Sequence, residues 1–454
     1  MSGEDAHLRE LASFPLLDAL FGRRSRRFGL GMAIPGGPLA YGSRYEPVPL
    51  TEEERLLLIL AGAGISGWNF GIPYTTSGEP DLGCNYTNRL LGRTFASGAG
   101  VHSSELLVTD DHGSHVTQFR DLDATRLAEY GEVGDLDRLA ELLAPHVVEV
   151  APGRVEIPAA PPHLVGHNYW VTNQPGTTLF VPVVDTTQHF FTLVAILAGE
   201  GYVFQLHGSG RRLGEPGPLL EAGVLDPALP FPIEYLEQLM LGSAVAESSL
   251  MCNNVSLVSQ AIGLGGWLYS GINAFTILGA FAAEGLPGFG FRFETDPRWL
   301  TPNPVGLDGL LESLSPPYVA DLLQGAELFA ARKFGPGGTF DPVRPGPFRD
   351  NPRVKAAVER YSPELVAYIG SVAQDVYDTF GKFPGTIPTI WAGIYTQVHH
   401  ADLDFYDRFY ADGAVLETHR RHFERWHGGV QPAEGAVAGH ATGASGHNLP
   451  REHS

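Results

Sequence analysis

Met251-Cys252-Asn253-Asn254-Val255-Ser256-Leu257-Val258-Ser259-Gln260-Ala261-Ile262-Gly263-Leu264-Gly265 carries the clearest structural signal in this 454-residue chain. Met251, Val255, Val258 and Ile262 recur at spacings of four, three and four, which places them on one face of an α-helix. The pattern predicts a helix over 243–263, stopped by Gly263-Leu264-Gly265-Gly266. The stripe itself reads as core packing.

Working outward, 178–184 is a β-rich run, 188–197 is apolar enough for a buried helix, and 202–206 reads as a strand. Further upstream, 105–109 reads as a buried strand, with Asp111-His112-Gly113 a turn into a second strand over 114–119. A helix is expected over 135–143. Thr51 is a good N-cap and Glu54 completes a capping box, so a helix starts there and ends near Gly62 and Gly64. Residues 5–22 read as a short helix kinked near Pro15, 29–50 as a Gly/Pro loop, and 65–100 as irregular and aromatic. Downstream, 290–294 suggests a strand, 335–352 a loop and 353–380 a helical stretch. Helices interleave with strands, which predicts an α+β fold.

Composition narrows the function classes. Hydrophobic residues are 43% and charged residues 18% of the chain, as expected for a globular enzyme. The 56 glycines and 35 prolines exceed the usual share and predict long connections and insertions. The formal net charge of -21 argues against nucleic acid and anionic membranes as partners. No apolar run is long enough for a membrane span or a leader segment. Two cysteines, Cys84 and Cys252, make neither a disulfide framework nor a metal knuckle, which fits a cytoplasmic location.

Against that acidic background Arg23-Arg24-Ser25-Arg26-Arg27 is a local reversal of sign. Arginine forks match phosphate oxygens, and the serine hydroxyl adds a further donor. The cluster suggests one small anionic ligand or, alternatively, a solvated basic turn.

Three segments taken in order are more specific than any one. They are Arg23–Phe28, the run Gly92-Arg93-Thr94-Phe95-Ala96-Ser97-Gly98-Ala99-Gly100-Val101-His102-Ser103-Ser104-Glu105-Leu106, and the helix quoted first. Together with Leu50-Thr51-Glu52-Glu53-Glu54, the set resembles the FMN-dependent nitroreductase superfamily, near its azoline-oxidase branch, over residues 10–310. The chain departs from the family at Asn253-Asn254, where Gln-Asn is usual, and at Ala96, where proline is usual. The resemblance implies a nitroreductase-like core over 1–330, with a mainly antiparallel central sheet and an insertion around 120–230. A helical C-terminal extension over 331–427 and a disordered tail over 428–454 would complete the chain. It further implies a homodimer binding FMN, with Arg23, Arg24, Ser25 and Arg27 on the phosphate and Ser97, Gly98, Ala99 and Gly100 against the ring. Asn253 or Asn254 would stand on the helix nearby, and a basic residue such as Arg332 or Lys333 could complete the phosphate site. The implied activity is hydride transfer between flavin N5 and a small organic substrate, with NAD(P)H a candidate electron donor. No side chain stands out as a catalytic acid or base. A flavin-binding or remodelling protein without redox turnover is the alternative within the same fold.

A second constellation lies near the C-terminus: His399, His400, Asp402, Asp404, Asp407, Glu417, His419, His422 and His427. His419-x-x-His422 can place two imidazoles on adjacent helix turns, so a metal-dependent enzyme is another alternative. The spacing matches no zinc signature, and the reading adopted is that no metal is bound. His399 and His400, with Trp68 and Asn69, are instead candidates to line a substrate pocket.

Overall fold

The computed structural model describes residues 14–73, 86–123 and 136–427. Cys84, the start of the expected first helix and the tail over 428–454 lie outside the described residues.

The architecture is mixed α/β around one antiparallel sheet. Its strands are β1 (Ser104–Asp110), β2 (Gly113–Thr117), β3 (Val147–Ala151), β4 (Thr178–Asp185), β5 (Gly265–Tyr269), β6 (Ile390–Trp391) and β7 (Tyr395–His399). The order is β5-β7-β4-β1-β2-β3, with β6 also pairing along β4. The expected turn joins β1 and β2, where Gly113 adopts φ 140. In register, Leu107 faces Val181 across the β1–β4 pair and Val108 faces Phe180. Successive side chains of a strand point to opposite faces. Leu106, Val108 and Phe180 therefore join one core with helix residues, while Leu107, Val181 and Val183 join another that contains Trp267 and Tyr395. With both faces covered, β1 and β4 are buried throughout.

The helices used below are α1 (Leu16–Gly22), α2 (Glu52–Ala63), α3 (Thr186–Gly199), α4 (Ile233–Ala261), α5 (Leu322–Phe334), α6 (Pro363–Phe380) and α7 (Glu417–His427). Of these, α2 and α4 pack directly on the sheet, and α3, α5 and α6 pack together against the first half of α4. The α2 capping box forms as expected, with Glu54 N donating to Thr51 Oγ1 (3.2 Å) and Thr51 N to Glu54 Oε2 (2.9 Å). α2 lies against α4 so closely that a Cβ on Gly62 would stand 2.8 Å from Val255 Cγ2. α4 begins at Ile233 instead of 243, because Ile233, Leu236 and Met240 continue the buried face into a third core with α3 and α6.

Three expectations need correction. The stretch 353–380 is two helices, Asn351–Ala357 and α6, because Ser362 caps a new helix with Pro363 in its first turn. The region 65–100, expected to be irregular, contains a short pair, Ile65–Trp68 with Leu91–Arg93. The extension after residue 330 is not wholly helical, since β7 sits between β5 and β4. Its sequence, Tyr395-Thr396-Gln397-Val398-His399, looks too polar for a central strand. Yet Tyr395 Oη donates to Ile272 O (2.7 Å) and Gln397 Nε2 to Val171 O (3.1 Å), so these polar groups are satisfied inside. The expected insertion likewise contains β4, which is paired on both sides. Among the described residues no helix is long and apolar enough to cross a membrane.

Candidate functional site

The three sequence segments meet along α4. Near its end Gln260 Oε1 accepts from Arg26 Nη1; less than two turns before it Asn254 Nδ2 donates to Thr94 O (2.8 Å). Earlier in the helix the buried Glu247 carboxylate accepts from Ser97 Oγ and Ser104 Oγ, and His189 Nε2 lies 3.5 Å away. At 1.5 Å rise per residue, Glu247 and Gln260 are about 20 Å apart along the axis.

The arginine cluster splits by role. Arg26 is 1% exposed, bridges to Gly266, and donates from Nε to Ala414 O (2.8 Å). Burial pushes its guanidinium down to about 10. Arg23, Arg24, Ser25 and Arg27 are exposed. Arg24 Nη1 is held by Phe21 O (2.8 Å) and Arg23 O (2.9 Å), and Arg27 lies 4.4 Å over the Trp267 ring. An accessible, tethered set of guanidiniums fits a phosphate chemically.

The residues expected against the ring fit in part. Ser97 is turned inward to Glu247, and Asn254 is committed to Thr94. The Asn253 side chain, half-buried, makes no hydrogen bond among the described residues. A Cβ on Gly98 would meet nothing, so its backbone stands open. Ala99 (φ 53), Gly100 (φ 57) and His102 (φ 44) hold the loop in a left-handed conformation that costs the two non-glycines roughly 1–2 kcal/mol each. A Cβ on Gly100 would stand 2.6 Å from Asn69 Nδ2, which donates to Arg89 O (3.1 Å).

The four pocket candidates do not converge. Trp68 and Asn69 follow the C-terminal end of α2, whereas His400 lies at its first turn, beside Glu54. His399 is buried between Gly29 and Gly265, where burial pushes its imidazole down to about 4. Of the C-terminal cluster, His419 is taken up by backbone: its Nδ1 accepts from Leu416 N (3.0 Å) and its Nε2 lies 3.2 Å from Leu264 O. His422 instead joins His400 and Glu54, all three buried. Burial pushes the Glu54 carboxyl up to about 7, against the Thr51 hydrogen bonds.

A cavity of about 550 Å³ opens beside the 97–101 loop, with Val101 in its wall. Among the described residues Arg89, Arg120, Arg332, Lys333, Arg344 and Lys355 line it, with Asp121 as the carboxylate. Most of these cations are occupied. Arg89 Nη2 donates to Gln188 Oε1 (2.6 Å), Arg120 pairs with Asp185 (3.1 Å), Arg344 pairs with Asp123, and Lys355 donates to three carbonyls. Lys333 donates to Tyr361 Oη (3.0 Å), and burial pushes its amine down to about 7. The Arg332 side chain makes no hydrogen bond or ion pair within 4 Å among the described residues; Asp121 influences it only at longer range. Arg332 and Lys333, expected to complete the phosphate site, stand in this cavity; the sequence carries no sign of the other four basic residues because they come from positions 89 to 355, with no local spacing to mark them. It also missed Glu54, whose capping role hides its second neighbourhood.

No family model matches the chain, and no curated protein matches it. Among solved structures it is similar to a "putative nitroreductase" from Ralstonia eutropha JMP134, at 14% identity over 60% of this chain and 76% of that chain, with a TM-score of 0.27. A likeness of that size carries no argument about activity.

Proposed function

We propose that the chain is an FMN-dependent oxidoreductase acting on a small organic anion. The observation that supports the flavin is the joining of the three segments to one helix, through Arg26–Gln260, Asn254–Thr94 and Ser97–Glu247. When bound, FMN supplies hydride transfer at N5. Arg23, Arg24, Ser25 and Arg27 hold the phosphate, the Gly98 backbone admits the ring at close range, and Asn253 offers the amide that Asn254 cannot. The basic cavity beside the same loop, with Arg332 unpaired among the described residues, supports an anionic substrate. Pairing of two chains around two flavins and electron supply by NAD(P)H belong to the same reading.

Purified protein should absorb near 450 nm, roughly the flavin band, or acquire that band on reconstitution with FMN. Arg24→Ala with Arg27→Ala should lower occupancy without unfolding the chain. A colourless protein that cannot be reconstituted would sink the proposal. Reduction of the bound flavin by NADH or NADPH separates an oxidoreductase from a flavin-storage or remodelling protein. For the substrate class, Arg332→Ala should lower kcat/KM for 4-nitrobenzoate relative to nitrobenzene by about tenfold or more, the worth of a charge-assisted hydrogen bond. An unchanged ratio would remove the anionic preference.

A further inference from the structure

We infer that Glu54, His400 and His422 form a divalent transition-metal site, best matched to Zn2+, which fastens α7 to the first turn of α2 and to the end of β7. Three elements far apart in sequence bring these side chains together in the interior. His422 Nε2 lies 3.1 Å from His400 Nδ1 and 3.5 Å from Glu54 Oε1. One ligand atom from each residue falls within 4.8 Å of the other two. Bonds of about 2.0–2.1 Å at tetrahedral angles put ligand atoms about 3.3 Å apart, between the two observed separations.

The surroundings complete the pattern of a held site. His400 Nε2 lies 3.2 Å from Pro49 O and 3.6 Å from Glu54 Oε2, contacts that fix the ring with Nδ1 turned to His422 Nε2, the edge at which an ion would replace that hydrogen bond. The other oxygen of Glu54 accepts from Thr51 N (2.9 Å), which orients the carboxylate. Among the described residues no lysine or arginine pairs with Glu54, and a buried carboxylate without a cation is costly. A divalent ion supplies that charge. Two imidazoles and one carboxylate are the donor set of a borderline ion such as Zn2+, not of Mg2+ or Ca2+. The site is independent of flavin chemistry, so its test does not depend on that reading.

The test is Co2+ titration of the full-length, chelator-stripped protein. One equivalent should bind with the visible absorption of four-coordinate Co2+, be displaced by Zn2+, and raise the Tm. Glu54→Gln keeps an acceptor for the helix cap but is a poor ligand, so it should lose at least about 100-fold in affinity while remaining folded by circular dichroism. His422→Asn should do the same. Converting the tail histidines His440, His447 and His453 to Asn should leave uptake intact. The assignment is overturned if the wild type takes up no stoichiometric Co2+. It is equally overturned if Glu54→Gln and His422→Asn bind as tightly as wild type, or if the tail variant loses the ion.

Discussion

Replacing Arg26 by alanine should destabilise the protein far more than replacing either Arg24 or Arg27, although all three sit in one five-residue run. Arg26 donates to Ala414 O at 2.8 Å and to Gln260 Oε1, with two longer contacts of 3.4 Å to Gly22 O. Alanine leaves two well-made acceptors without these donors, at about 1–3 kcal/mol each, and opens a void. The relief of no longer burying a guanidinium offsets part of this, so the net loss is about 3 kcal/mol. Arg24 is exposed and, among the described residues, bonds only to neighbouring backbone, while Arg27 contributes a cation–π contact worth about 0.5–1 kcal/mol. The assay is urea unfolding of the three single variants, followed by tryptophan fluorescence. Arg26→Ala should show a clearly lower midpoint, with the others within about 1 kcal/mol of wild type. FMN occupancy of the surviving fold should show the reverse order. If Arg26→Ala is as stable as wild type, or Arg27→Ala falls as far, the division of the cluster into a structural member and binding members is wrong.

Gly263 has φ 80, and a Cβ there would overlap the Thr418 carbonyl oxygen of α7. Gly263→Ala should therefore cost more than about 2 kcal/mol and expose α7 to limited proteolysis; an unchanged digestion pattern would contradict the packing. The Lys333 amine, lowered by burial to about 7, binds its proton less tightly folded than unfolded. Stability should consequently rise as pH climbs from about 7 towards 10, and Lys333→Met should flatten that rise in pH-dependent urea melts. Cys252 is buried, and burial pushes its thiol up to about 12. In a Cys84→Ser background a disulfide reagent should find no reactive thiol in native protein and one after denaturation.

Much of the local framework is legible in the sequence alone. The Thr51/Glu54 capping box, the 104–117 hairpin and the Met251–Ile262 stripe are short-range patterns, and each forms where expected. Short-range signals succeed when one face is buried and the periodicity is visible. They fail for β7, whose Thr396, Gln397 and His399 are buried polar residues that look exposed until their neighbours are known. They fail again at residue 233, where the α4 stripe continues into a different core.

By residue type the arginine run points to a small anionic ligand, and a flavin enters only through the family resemblance of the three segments taken in order. Tertiary structure decides which members remain available for one: Arg26 and Asn254 are consumed internally, while Arg24, Arg27 and Asn253 are not. It also assembles the six-cation cavity and the Glu54–His400–His422 cluster. The physical reason is common to both. Charge and coordination act over a few ångströms in space, so groups hundreds of residues apart carry no mark of their meeting until the chain folds.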